Sequence, residues 1–273
     1  MVAVRELRVL LFEEPENPYM NLAFEEALAR ARGAGLVPDT LRIWRNAKAV
    51  VIGYFQVASE EVDLERAGRE RVAVARRFTG GGAVYHDLGN VNYSVAVGAE
   101  GLRDPVEHAY FHLVGGLVNA LKLLGLDARV ENVNDVAVGG RKVSGTAASF
   151  RLGSCFVHGT LLVDADLEAM SRLLKPPAEK LKSKGVSDVK HRVVNISQLL
   201  GRKISYREVV EAIVQGFERL LNAEAYFDLP SREELEATRL LYERKYSRGE
   251  WNLQRAPHSA FDVESELKGV LRA

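Results

Sequence analysis

"RVAVARRFTGGGAVYHDLGNVNYSVAVG", residues 71–98, sets two apolar runs on either side of three consecutive glycines and a polar cluster. The first run puts Val72 and Val74 on one face and Ala73 and Ala75 on the other, the two-residue period of a strand. The second, "NVNYSVAVG", reads as a strand again. Strands that return through glycine-rich turns, without a helical crossover, favour antiparallel pairing.

The flanking sequence extends this pattern. "LRVLLF" (7–12), "TLRIWRN" and "AVVIGYF" read as strands, as does "SCFVHGTLLVDAD". "DVAVGGRKVSG" reads as a hairpin turning at Gly139 and Gly140. Helices are predicted from Asn21 as N-cap to Gly33, at 60–69, from Pro105 to Gly125, and at 167–174, 206–222 and 231–245. Strands outnumber βαβ crossovers, so the expected class is α+β, with mixed, largely antiparallel sheets flanked by helices.

Composition narrows the function classes. The 273 residues are 47% hydrophobic and 27% charged, an ordinary globular balance. The formal net charge of +0 gives no electrostatic reason to expect nucleic acid or an anionic membrane as partner. The N-terminus lacks a signal-peptide h-region, and no apolar run approaches the roughly 18 residues of a membrane span. Cys155 is the sole cysteine, which excludes an intrachain disulfide or cysteine metal cluster and suits the reducing cytoplasm.

Three segments carry candidate chemistry. Gly80, Gly81 and Gly82 let a ligand approach bare backbone, and their N–H groups beside Arg76 or Arg77 suit a carboxylate or phosphate. The spacing matches neither a dinucleotide fingerprint nor a P-loop, and a plain hairpin corner with solvated arginines accounts for the glycines equally well. His86, Asp87 and Asn90 favour a site. In "NDVAVGGRKVSG", Lys142 stands among small residues, either as a solvated strand lysine or pointing into a cleft to hold a carboxylate and a phosphate oxygen. Asp135 suits Mg²⁺ or an Asx turn with Asn134. His158 interrupts a strong strand next to Gly159. Cys155 and His158, three apart on a strand, point to opposite faces, which opposes a Cys/His nucleophile.

Taken together, "RRFTGGGAVYHDLGNVNYSV", "NDVAVGGRKVSG" and "HGTLLVDADL" closely resemble the lipoate-protein ligase A family. "NPYMNLAFEEAL", "VVIGYFQ", "KGVSDVKHRVVNI" (184–196) and "KYSRGEWNL" (245–253) extend the likeness to about residue 254. The resemblance implies a catalytic domain over 1–257 with the fold of biotin protein ligases and class II aminoacyl-tRNA synthetases, then a C-terminal tail over 258–273. It implies ATP-dependent activation of lipoate to lipoyl-AMP and transfer to a lysine of an acceptor domain, a 2-oxoacid dehydrogenase E2 or a glycine cleavage H protein. ATP enters as an Mg²⁺ complex, with no tightly bound prosthetic group. By the same resemblance Arg77 faces the phosphates, Gly82, Ala83, Val84 and Tyr85 line the nucleotide, and Lys142 contacts both lipoyl carbonyl and phosphate. Gly80, Gly81, His86 and His158 fall to lipoate, and Asp135 to Mg²⁺.

Few residues follow Trp251, where single-chain relatives carry an accessory domain. The expectation is therefore the split archaeal arrangement, with a separate small subunit. The rival within the superfamily is an octanoyltransferase or lipoyl amidotransferase, whose nucleophilic cysteine precedes the segment matched by "NDVAV". This chain has Glu131 to Val133 there. A biotin ligase lacks support because its Gly-Arg-Gly loop is absent. A non-catalytic lipoyl-binding subunit is opposed by intact Arg77 and Lys142.

Overall fold

The computed structural model describes residues 5–175, 192–254, 261 and 263–272. The strands are β1 (Arg5–Leu10), β2 (Thr40–Trp44), β3 (Lys48–Ile52), β4 (Ala73–Arg76), β5 (Val84–Asp87), β6 (Asn90–Gly98), β7 (Ala128–Glu131), β8 (Asp135–Val138), β9 (Arg141–Ser149), β10 (Ser154–Leu162) and β11 (Ala223–Asp228). Eight of them form one sheet in the order β11-β1-β2-β6-β10-β9-β8-β7, and β4-β3-β5 form a second. Only β1/β11, β1/β2 and β3/β4 run parallel among the described pairs. The fold is thus α+β with mixed, largely antiparallel sheets.

The strand alternation sorts the two faces of the large sheet. Across β2, β6 and β10, Arg42, Ser94 and His158 are in register, as are Trp44, Asn92 and Thr160 two residues along. The intervening Ile43, Tyr93, Val95 and Val157 turn to the opposite face, where they pack with Leu117, Ile213 and Phe217 of the helices Gly115–Leu123 and Tyr206–Leu221. One face of the sheet is therefore core, and the other is free to carry polar groups.

Several local readings need correction. The first helix spans Pro18–Gly33 and is capped by Asn17, whose side chain accepts from Met20 N, with Pro18 at the first turn where it costs no hydrogen bond. Asn21, expected as the cap, is instead buried inside the helix with its amide fully engaged. The helix expected at 60–69 is two pieces, Ala58–Glu61 and Leu64–Arg69, because Asp63 starts a new helix by accepting from Arg66 N. The stretch from Pro105 is helical but passes through a π-helical segment at His108–Leu113, and Arg232–Leu241 is followed by another at Tyr242–Tyr246. β5, β7, β11 and the short helix Ile196–Leu200 go beyond the elements expected from the sequence. Most of "KGVSDVKHRVVNI" lies outside the described residues, as do residues 258–260 of the expected tail. Within that tail, Glu264–Val270 is helical, with Leu267 buried alongside Ala237 and Leu241.

The C-terminal helices are held by buried charges. Arg8 on β1 pairs with Glu234 at the start of Arg232–Leu241. Glu26 accepts from Lys245 Nζ and Tyr246 Oη, both at 2.6 Å, and pairs with Arg30 at 2.9 Å. Burial alone would raise its pKa, but Lys245 and Arg30 outweigh that and hold it down to about 2. Its contribution is thus complete above the unfolded carboxylate value and is lost as pH falls through about 2. We expect Glu26→Gln to remove a term of roughly 3 kcal/mol from the acid limb of stability. The variant's denaturant midpoints measured against pH should then fall less steeply below about pH 4.5 than the wild type's, starting from a lower neutral-pH value because Lys245 is left buried and unpaired.

Candidate active site

The centre of the site is the loop between β4 and β5. Arg77 is buried, and its guanidinium donates to the carbonyls of Gly80 (2.6 Å) and Gly82 (2.8 Å), to Thr79 Oγ1 (3.1 Å) and to Val51 O (3.3 Å). A planar cation with five donors can satisfy several carbonyls of one loop at once, which an ammonium cannot do with the same geometry. Burial lowers its pKa to about 10, so it remains charged at neutral pH. Gly81 has φ +90°, and its carbonyl lies where a Cβ on Gly53 would stand at 2.1 Å, so two bare backbones touch here. Arg76 points elsewhere. It donates to the carbonyls of Trp251 (2.8 Å), Tyr54 (3.0 Å) and Gln56 (2.6 Å), while Trp251 Nε1 donates back to Arg76 O.

Lys142 projects from β9 at 2.5 Å from Asp135 on β8. Gly145 makes room for the ammonium, since a Cβ there would stand 2.7 Å from Nζ. The backbone of Lys142 is pinned by Arg192 O and Val194 N, both at 2.9 Å, which are residues of the 184–196 stretch. On β10, His158 joins Glu25 through Nδ1 and Thr79 Oγ1 through Nε2 (2.7 Å). Glu25, from the helix Pro18–Gly33, also accepts from Ser94 and lies 3.6 Å from Arg42. His86 on β5 meets Asn46 Nδ2 through Nδ1 at 3.0 Å. Burial, then Arg77 and His158, push its pKa down to about 3.

Two connected cavities result. The inner one, about 100 Å³, is walled by Leu22, Trp44, Val51 and Ala147, with His86 and His158 set into it. The outer one, about 680 Å³, carries Lys175, Arg192, Gln56 and Tyr85. Gly82, Ala83, Val84, Lys142 and Gly145 border both. The arrangement offers an apolar slot opening on a cationic cleft, with Lys142 at the junction.

Most of the expected residues are therefore brought together: Arg77, Gly82, Ala83, Val84, Tyr85, His86, Asp135, Lys142 and His158 each line one or both cavities. Gly80 and Gly81 sit one step behind the wall, with their carbonyls turned to Arg77 and toward Gly53. Arg77 is committed to the loop instead of standing free in the cleft. Asp135 fits Mg²⁺ in one respect, because that ion takes one or two carboxylates and fills its shell with phosphate oxygens and water. Among the described residues no group of three acidic, histidine or cysteine ligands converges on a metal. Sequence reasoning missed Glu25, Thr79, Lys175 and Arg192. Glu25 lies in a quoted motif, but only the register of β2, β6 and β10 shows its partner. Cys155 is buried on the core face against Leu113 and Val157, and burial pushes its thiol up to about 12, the reverse of an activated nucleophile.

The model of the lipoyl protein ligase A/B catalytic domain matches residues 17–218. The chain belongs to that family. Within the family it is 38% identical over 258 residues to lipoate-protein ligase A subunit 1 of Thermoplasma acidophilum, spanning 91% of this chain and 97% of that one. It is 34% identical to lipoate-protein ligase A of Psychrobacter cryohalolentis, covering 92% of this chain and 74% of the relative. Among solved family structures, the bipartite lipoate protein ligase of T. acidophilum, studied with its E2 lipoyl domain, superposes with a TM-score of 0.84 at 38% identity. That match covers 92% of this chain and 98% of that one. A lipoate-protein ligase A bound with ATP superposes at 0.82 with 36% identity, covering 92% and 100%.

For this family member, Arg77→Lys should keep the charge and lose the fork that holds Gly80 and Gly82. Amide hydrogen exchange at residues 79–84 is expected to quicken by about tenfold or more, the loss of one or two hydrogen bonds, with the rest of the sheet unchanged. Unaltered exchange in that loop would remove Arg77 as its organiser.

Proposed function

We propose that this chain activates lipoate with ATP to lipoyl-AMP and passes the lipoyl group to a lysine of an acceptor domain, in company with a separate accessory subunit. The supporting observation is the junction at Lys142, where a narrow apolar cavity meets a wider cationic one along the Gly82–Val84 backbone. An acyl chain suits the first and a nucleotide triphosphate the second. The printed names of the relatives, a ligase subunit 1 and a bipartite ligase with an E2 lipoyl domain, support the same reading and its two-protein form. The acceptor is then an E2 domain or, by the family resemblance, an H protein. Residues 1–257 act as the catalytic domain, with 258–273 packed back on it in part, and a single buried thiol suits a cytoplasmic setting.

The chemistry follows from charge. A carboxylate oxygen attacking the α-phosphate brings two anions together, so catalysis rests on positioning and neutralisation. Lys142 is placed to exchange Asp135 for substrate oxygens, holding acyl carboxyl and phosphate together. Asp135, once released, would hold Mg²⁺, which supplies further neutralisation of the phosphates when bound with ATP. Arg77 contributes by fixing the backbone of Gly82 and by the positive field of a buried guanidinium. Lys175 and Arg192 are available to the outer phosphates. Leu22, Trp44, Val51 and Ala147 exclude water from the acyl chain, and His86 and His158 are among the polar groups beside it, with Asn92, Thr146 and Thr160. No covalent enzyme intermediate is required, and buried Cys155 offers none.

The test is acylation of an acceptor domain by the full chain with ATP, Mg²⁺ and lipoate, with and without a candidate second subunit, followed by intact mass. We expect a lipoyl mass shift that depends on ATP and strengthens with the partner. Lys142→Ala should reduce adenylate formation at least about 100-fold, the scale of losing a transition-state charge partner, while Cys155→Ser stays within about twofold. ATP-independent transfer that Cys155→Ser abolishes would overturn the reading in favour of a thioester transferase.

A further inference from the structure

Among the described residues lining the inner cavity, two buried polar atoms, His86 Nε2 and Asn92 Nδ2, have no protein partner, and the first is on a ring whose other nitrogen is fixed. His86 is 3% exposed and borders the inner cavity, yet Nε2 makes no hydrogen bond, whereas Nδ1 is engaged by Asn46. Which ring nitrogen carries the proton is set by a chain of amides that begins at a group able only to donate. Arg42 Nη2 donates to Asn21 Oδ1 at 2.8 Å, and the backbone N–H of Glu14 donates to the same oxygen at 2.9 Å. Asn21 Nδ2 must then be the donor, and it meets Glu14 O and Asn46 Oδ1, both at 2.8 Å, and Arg45 O at 3.3 Å. With its oxygen used, Asn46 presents its amino group to His86 Nδ1, which accepts. A neutral imidazole that accepts at one nitrogen carries its proton on the other.

We propose that Asn21 and Asn46 are positioning residues that lock His86 as a neutral Nε2–H donor into the inner cavity, and that its acceptor is a carboxyl oxygen of the bound acyl substrate. The acyl half of this statement rests on the function proposed above. An unpaired buried donor costs free energy, and a binding site recovers it when ligand arrives. Asn92, Asn134, Thr146 and Thr160 also line the cavity, but none of them makes a hydrogen bond with His86 Nε2. On a saturated acyl chain the carboxyl oxygens are the strong acceptors, sulfur being weak in that role. Lys142 borders the same cavity, so the carboxyl group would receive one charged and one neutral donor.

The relay also excludes His86 as a proton carrier. A second proton on Nδ1 would point at the Asn46 amino group. The charged and titratable groups facing the ring are Arg77 and His158, and both oppose its protonation. The donor is therefore unchanged across the pH range in which an ordinary histidine switches. Asn21 and Asn46 are fully buried, so water does not supply an alternative partner.

The decisive measurement is a long-range ¹⁵N–¹H spectrum of the full chain labelled at histidine, with lipoate as the probe ligand. His86 is expected to show a protonated Nε2 and a bare Nδ1, with no titration from about pH 5 to 8. Its Nε2 proton should shift when lipoate is added. A proton on Nδ1, or titration in that window, overturns the relay without any variant being made. In Asn46→Asp the carboxylate accepts from Nδ1, so His86 should gain a proton there and titrate. Lipoate KM should rise about tenfold for His86→Leu, the loss of one hydrogen bond. It should rise less for His86→Gln, which keeps a donor, with kcat falling little in either. An Nε2 resonance indifferent to lipoate, in a chain that still forms lipoyl-AMP, overturns the acyl contact alone. Failure of the wild type to form lipoyl-AMP with its partner overturns the functional reading, and the spectrum still decides the tautomer.

Discussion

A buried guanidinium must find acceptors or be expelled to water, and Arg77 finds them in the loop that follows it. The carbonyls of Gly80 and Gly82, with Thr79 Oγ1, satisfy the cation, and in doing so they bend residues 79–82 into one course. Of the three glycines only Gly81 is constrained, since a Cβ there would stand 2.8 Å from the Arg77 guanidinium, whereas Gly80 and Gly82 have room for one. Gly81 takes a left-handed φ, and its carbonyl comes against Gly53, where a Cβ would stand 2.1 Å from it. Gly81 is thus a consequence of the arginine's solvation needs as much as of any ligand's. What reaches the cavity is the end of the segment, Gly82 to Val84.

The two sheets divide the remaining work. The large sheet buries one face against helices and leaves the other for Arg42, Ser94 and His158 in one row and Trp44, Asn92 and Thr160 in the next. The small sheet brings Val51, Val84 and His86 to the same cavity. A site built on strands inherits their register, so its polar groups are placed by the same ladders that stabilise the fold. Glu25 reaches the site from a helix, and its bonds to His158 and Ser94 join that helix to the polar row. This is costly ground for charges, and each is answered by an opposite charge or by several carbonyls.

Much of this was legible from the chain. The alternation of Val72 to Ala75 marked a strand, and the turn at Gly139 and Gly140 an antiparallel hairpin, but the return expected across residues 80–82 is not made: β4 runs parallel to β3, β5 lies on the other side of β3, and β6 belongs to the large sheet. The agreement of several separate motifs pointed to Arg77 and Lys142 together. What escaped was three-dimensional by nature. Asn21 looks like a helix cap because asparagine favours that position, but the true cap is Asn17, four residues earlier and just before Pro18. Asn21 is buried because Arg42, 21 residues further along on β2, needs its oxygen. β11 was missed because "AEAYFD" is short and lies at a sheet edge, exposed along most of its length. The role of Arg77 was foreseen as a cation facing ligand; its commitment to backbone carbonyls could not be read from spacing.

Arg76 and Arg77 stand next to one another and reach in opposite directions. One grips the carbonyl of Trp251 and receives its indole N–H, while the other grips Gly80 and Gly82. A single peptide unit therefore joins the segment near the C-terminal end of the chain to the loop at the mouth of the cavity. Mechanically the pair is a rivet through the small sheet, with one head in each region. Trp251 also packs in one cluster with Leu22, Trp44 and Val51, so a displacement of Trp251 reaches the cavity by two routes, through its apolar wall and through the arginine pair to the glycine loop.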